Sequence, residues 1–165
     1  MEKIKVSAVS RRRLTVLADF LDELPAQVFS LRNWVSELDN DDLIRTDIKG
    51  NLGTGITSEE MNKCGATACA FGWACTLLPF KRAGLKMDMR NFWPSFKGLM
   101  GYEAAEEFFG LDGYTEGHEL MSEILFSPSL YGDDQKRDPH AVSARIREYL
   151  ANPDALLKRF PVSHL

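Results

Sequence analysis

The chain has 165 residues, 44% of them hydrophobic and 27% charged, with a formal net charge of −4. These values are ordinary for a globular chain of one domain, residues 1–165, large enough to bury a core, and they exclude low-complexity and collagen-like classes. The longest uncharged run, Cys64 to Phe80, spans 17 residues and contains two threonines, two glycines and a proline. It is too short and too polar for a membrane span, so no membrane partner is expected. No apolar segment follows the N-terminal lysines, so no secretory leader is expected. Three cysteines are an odd count that suits reduced thiols and a cytoplasmic location better than a disulfide framework.

Taken along the chain, apolar spacing predicts a first helix from about Ser10 to Leu24, with Leu14, Leu17, Ala18, Leu21 and Leu24 on one stripe. Pro25 ends it or starts the next turn. A short second helix is expected over Leu31 to Leu38, with Leu31, Trp34, Val35 and Leu38 inward. Residues 39–63 read as one long irregular connection, with room for a short β-hairpin near Ile44 to Ile48; a connection of this length is mobile or functional.

Cys64 to Leu78 carries no charge and mostly small side chains, which predicts a buried central helix that starts near Cys64 or Gly65 and stops before Pro79. Residues 80–100 fit no single period and are expected to form an irregular segment tucked against the core, with a turn near Trp93-Pro94. A further helix is predicted over Tyr102 to Phe109, with Ala104, Ala105, Phe108 and Leu111 inward. Gly110 stands at its left-handed cap. Thr115 is placed to cap a helix from about Glu116 to Phe126 that buries Leu120, Met121, Ile124 and Leu125. Asp138-Pro139 and Asn152-Pro153 are two more helix starts, the first followed by a stripe of Val142, Ile146, Tyr149 and Leu150. The expected fold is a mainly α single globular domain of five to seven helices around the buried central helix.

Charge is unevenly distributed. Lys3, Lys5, Arg11, Arg12 and Arg13 crowd the first thirteen residues. From Gly98 to Gln135 there is no lysine or arginine, but there are nine carboxylates. On the predicted helices, Glu103, Glu106 and Glu107 share one face, and Glu116, Glu119 and Glu123 share another. This is either a solvated face or an interaction surface for a protein partner with a basic surface. Duplex DNA is excluded as a partner of the acidic face, because phosphate contacts need cations.

Cys64 is the candidate nucleophile. A thiol at a helix N-terminus beside Lys63 favours thiolate, and cysteine hydrolases use such a placement with a histidine base. None of His118, His140 and His164 has a spacing that marks it as that base, and Cys-Gly-Ala-Thr-Ala-Cys departs from the papain-type signature. A structural cysteine at a tight helix start is the competing reading. Cys64, Cys69 and Cys75 are spaced too far apart on a helix for a zinc site. Asp112 to Glu123 matches calcium-loop positions 1, 5, 6 and 12, but Tyr114 stands at position 3. The Gly50-Gly53-Gly55 stretch lacks the Gly-Lys-Ser/Thr ending of a phosphate loop. No metal site and no cofactor are therefore expected. Among the tryptophans, Trp73 reads as core. Trp93 is the best placed exposed anchor, although burial is the favoured reading for it as for any large aromatic.

Several motifs in order resemble a family of small bacterial and phage proteins of unassigned function. They are Leu24-Pro25, Phe29 to Trp34, Cys64-Gly65-x-x-x-Cys69-x-x-Gly72-Trp73-Ala74, Phe108-Phe109-Gly110-Leu111, Leu125-Phe126 and Ser129-Leu130-Tyr131. The chain departs at Ala66, where members often carry threonine. The resemblance implies a bacterial or phage cytoplasmic context and supplies no catalytic assignment to carry over. The expected function is non-catalytic protein interaction, as an accessory or inhibitor protein of a phage or mobile element. The alternatives are a thiol-dependent enzyme centred on Cys64 and a small-ligand module with a pocket between the central helix and residues 85–96.

Overall fold

The structure, a computed structural model, describes residues 3–31, 35–37, 66–88, 93–111 and 121–160. It is mainly α, with seven α-helices among these residues.

Helix α1 (Ala8–Glu23) starts two residues upstream of the expected Ser10, where the Ser7 hydroxyl caps it by accepting the Ser10 N–H at 3.0 Å. Leu14, Leu17, Ala18 and Leu21 are buried as its spacing predicts. Pro25 forces Leu24 into extended backbone, which ends the helix. A 3₁₀ turn at Ala26–Val28 follows.

The expected second helix is overturned in part. Val35–Glu37 is strand β1, antiparallel to β2 (Ala66–Ala68), with Ser36 opposite Thr67. The other side of Ala68 meets Phe29 in a parallel bridge, and Ala68 accepts the Ser30 N–H. The long 39–63 connection, with its hairpin at Ile44 to Ile48, lies outside the described residues.

The central helix exists but is much shorter than its uncharged run. Cys69 is extended, and its sulfur accepts the Gly72 N–H at 3.3 Å, so it acts as the N-cap of α2 (Ala70–Ala74). All five residues of α2 are buried. Trp73 donates from its indole nitrogen to the Val28 carbonyl at 2.9 Å. The Thr76 hydroxyl then bonds back to the Trp73 carbonyl at 2.6 Å, and Leu77 turns extended. Pro79 falls in the first turn of a separate helix, α3 (Leu78–Arg82), where its missing N–H costs nothing. An uncharged run of small residues fits a strand, a cap and a short helix as well as it fits one long helix.

The segment expected to be irregular holds a three-stranded antiparallel sheet, β3 (Lys86–Met87), β4 (Pro94–Phe96) and β5 (Leu99–Met100), in that order. Lys97 (φ 49°) and Gly98 (φ 79°) join β4 to β5, and two successive positive φ values define the two-residue turn that matches strand twist. Phe80, Leu85, Met87 and Phe96 are buried, so the segment does pack against the core.

Helix α4 (Gly101–Phe109) follows β5 directly and buries Ala104, Ala105, Phe108 and Phe109. Gly110 is left-handed (φ 59°), and the Leu111 N–H returns to the Glu106 carbonyl at 3.0 Å, closing the cap. Of the next predicted helix, residues 121–126 are described, as α5 (Met121–Phe126); Thr115, Glu116 and Leu120 lie outside the described residues. Asp138 accepts the His140 N–H at 2.9 Å and starts α6 (Pro139–Ala151); Asn152 caps α7 (Pro153–Lys158).

The most extensive contact between elements is α1 on α6. The pairs Asp22–Ser143, Asp19–Arg147 and Arg11–Leu150 run in opposite directions, so the two helices are antiparallel. On the far side of α2, the rings of Phe71, Phe80, Phe96, Phe108, Phe109 and Phe126 pack with centroids 5.0 to 6.2 Å apart. Each ring buried there contributes about 1.5–3 kcal/mol relative to exposure. Arg13 stacks its guanidinium 4.2 Å from the Phe108 centroid and donates to the Phe108 carbonyl, which ties α1 to the end of α4.

Candidate functional site

The acidic residues do not form one uniform surface. On α4 the core face holds Ala104, Ala105 and Phe108, while Glu103 and Glu107 are exposed one turn apart on the opposite face. Glu106 is half-buried and turned toward α5, where its carboxylate accepts the Ser122 N–H. It accepts from the backbone of the first described turn of α5. The expectation that Glu106 shares the outward face of Glu103 and Glu107 is therefore corrected. A glutamate at the edge of the buried stripe reaches a neighbouring helix more readily than open water.

Glu107 is joined by Lys97, whose ammonium lies 3.2 Å from the Glu107 carboxylate. Both side chains are largely exposed, so the pair contributes at most about 1 kcal/mol. It does put one cation against the acidic face, from the tip of the β4–β5 turn. Sequence spacing gave no sign of that pairing, because it depends on the positive φ of Lys97 and the sheet register. Glu123, in the first turn of α5, is half-buried and close enough to Tyr102 to raise the phenol pKa slightly; burial is the larger cause of that rise. Glu116 and Glu119 lie outside the described residues.

Trp73 is fully buried, as expected, and Trp34 is outside the described residues. Trp93 is not buried: it is 47% exposed, immediately before β4, and its carbonyl accepts the Asp88 N–H at 2.7 Å. The favoured burial of this residue is overturned because β4 turns Pro94 and Phe96 toward the core and leaves the residue before them on the outer side.

The candidate nucleophile Cys64 is outside the described residues. Cys69 and Cys75 are free and buried. Burial pushes the Cys69 thiol up to about 12, against the smaller lowering effect of the Gly72 N–H. The Cys75 thiol is raised well above its ordinary value, by burial and then by its neighbour Cys69. Both are thiols, not thiolates, at neutral pH. Of the histidines, His140 is described; it faces Asp22 across the α1–α6 seam, at 3.6 Å. Among the described residues no group of three or more histidine, cysteine or carboxylate side chains could hold a metal ion, and no helix is long and apolar enough to cross a membrane.

Comparison with protein-family models, with curated proteins and with solved structures finds no match for this chain.

Proposed function

We propose that the protein is a non-catalytic interaction module that binds a protein partner with a basic surface through the acidic outer face of α4. The supporting observation is the placement of Glu103 and Glu107. Both point away from the core on a helix whose other face is packed, and what their charges add to folding is small: one exposed pair with Lys97 and a place for Glu103 in the first turn of α4. Complementary surface charge raises association rates and selects partners more than it raises affinity. Glu123, on the neighbouring α5, extends the same field in part. A module of this size suits an accessory or inhibitor protein of a phage or mobile element acting in a cytoplasm, where buried free thiols stay reduced.

The test is affinity capture from a host lysate with immobilised wild-type protein and with Glu103→Lys/Glu107→Lys. The wild type should retain a basic protein that elutes as salt rises, and the variant should lose it. Retention of the same protein by both would remove the acidic face from the account.

A further inference from the structure

Helix α1 carries its charge the wrong way round for its dipole. Its first turn holds no acidic residue and its last turn no basic one. Arg11, Arg12 and Arg13 come early, and Asp19, Asp22 and Glu23 come late. Cations beside the positive end of a helix oppose its formation. The fold offsets part of this. Arg11 donates to the Leu150 carbonyl near the end of α6, and Arg13 to the Phe108 carbonyl near the end of α4. Asp19 and Asp22 both pair with Arg147. Arg12 is exposed and has no ion-pair or hydrogen-bond partner among the described residues.

The arm ahead of α1 adds more charge at the same end. Lys3, Lys5 and Ser7 are exposed, while Ile4 and Val6 are half-buried and packed against the core. That is the alternation of an extended chain, so Lys3 and Lys5 leave the same side about 6.6 Å apart. The Ile4 N–H donates to the Asp154 carboxylate at 3.3 Å, which docks the arm on α7. Neither Lys3 nor Lys5 has an ion-pair or hydrogen-bond partner among the described residues. Lys158, one turn beyond Asp154 on α7, is exposed as well. The carboxylates of these helix ends are engaged, Asp154 by Ile4 and Glu148 by Arg159 at 2.6 Å. Glu2 is the one carboxylate among the first thirteen residues.

A chain with a net charge of −4 thus gathers unpaired cations around the positive end of one helix, where folding gains nothing from them. We propose that this basic end binds duplex nucleic acid through its phosphates, without reading sequence. Lys3 and Lys5 repeat along a straight arm, as phosphates repeat along a strand, and Arg12 continues the line of charge onto α1. Contacts of this kind position a protein on a duplex and carry no sequence information. None of the exposed residues of the arm and α1 has a ring, so nothing there stacks on an unpaired base. A lipid surface is disfavoured, because Ile4 and Val6 turn into the core and leave Val9 alone to enter it. An acidic protein offers carboxylates at no regular spacing. Asp19 and Glu23, exposed at the other end of α1, repel the duplex and confine it to the arm. The surface is separate from the acidic outer face of α4 and does not rest on the role given to that face.

The test is fluorescence anisotropy of labelled mixed-sequence duplex oligonucleotides titrated with the full chain over a range of salt. Binding should be saturable at low salt and equal for duplexes of different sequence. Lys5→Glu/Arg12→Glu should weaken it about tenfold or more. Arg82→Glu/Lys86→Glu, the same charge change at exposed cations of α3 and β3, should leave it near the wild-type value. Lys3→Ala/Lys5→Ala/Arg12→Ala should reduce the steepness of the log–log salt dependence by about 2.7, three contacts at about 0.9 each. The melting temperature of this alanine variant should not fall, because the lost charges oppose the α1 dipole. No binding at low salt would overturn the proposal, and so would an equal loss in the α3–β3 control, which would make the effect one of net charge. Tighter binding of the single strand of the same length would overturn the duplex assignment. Binding to phosphatidylserine vesicles but not to duplex would assign the arm to a membrane, and competition by polyglutamate at equal charge would assign it to an acidic protein.

Discussion

The Ser143 hydroxyl donates to the Asp22 carboxylate at 2.6 Å across the seam between α1 and α6. The two residues are far apart in sequence, yet they close the most extensive helix contact among the described residues. Arg147 bonds the second Asp22 oxygen and also Asp19, 2.9 Å away. The Ser143 hydrogen bond, more than Arg147, holds the Asp22 carboxyl below its ordinary value, against the opposing effect of partial burial.

Ser143→Ala should therefore destabilise the fold by about 1–2 kcal/mol, at the lower end for a hydrogen bond to a charged group because Asp22 is partly open to solvent. The pH dependence has a definite sign. A carboxyl with a depressed folded pKa contributes stability that is present above its unfolded value and lost as pH falls through the folded one. The stability difference between wild type and Asp22→Asn should be largest near neutral pH and shrink below about pH 4, the ordinary aspartate range. Urea melts at pH 7 and pH 3 measure it. A difference that grows on acidification would contradict this role for Asp22.

Gly110 is the position least tolerant of a side chain among the caps. Its backbone is left-handed, and a Cβ there would lie 2.7 Å from the Ser10 hydroxyl oxygen. Gly110→Ala should cost about 1–2 kcal/mol from backbone conformation alone, plus the displacement of Ser10. For a chain of this size that is a fall in melting temperature of roughly 2–8 °C. Adding Ser10→Ala should recover the steric part and leave the backbone part. Full recovery, or no loss in the single variant, would mean the cap is not held as described.

Cys69 and Cys75 should resist maleimide in the folded protein at neutral pH and react in urea. Burial holds both thiols protonated and covered. The sulfur of Cys69 also has a structural task as the acceptor for Gly72, so Cys69→Ala should cost about 1 kcal/mol more than Cys69→Ser, whose hydroxyl keeps the cap. Mass spectrometry of labelled peptides and thermal melts check the two statements. Rapid modification of either thiol in native protein would contradict the first, and equal stability of the alanine and serine variants the second.

The elements that could be read from the sequence are those with a long apolar stripe and a capping residue: α1 from Leu14 to Leu21, α4 with Gly110 behind it, and α6 and α7 behind Asp138-Pro139 and Asn152-Pro153. The misread parts are short. Strands β3 and β5 have two residues each, too few to show alternation. Ala66–Ala68 becomes a strand because Val35–Glu37 lies beside it, a pairing between segments about thirty residues apart that no local pattern records. The β4–β5 turn carries Lys97 where asparagine or glycine would have announced it. The site was legible as charge and not as geometry. Glu103 and Glu107 face out as their spacing implies, but the turn of Glu106 toward Ser122, and of Lys97 toward Glu107, required the neighbouring elements to be in place.

The most direct measurement is the association rate of the captured partner with immobilised wild type and with Glu103→Lys/Glu107→Lys, by surface plasmon resonance at low and high salt. Electrostatic acceleration predicts a wild-type rate that falls several-fold as salt shortens the screening length to about 8 Å or less. The variant should be slow at both salt concentrations, with a melting temperature lowered only by the small loss of the exposed Lys97–Glu107 pair and of Glu103 in the first turn of α4. Equal rates for the two proteins at low salt would show that the acidic face of α4 is only a solvated surface.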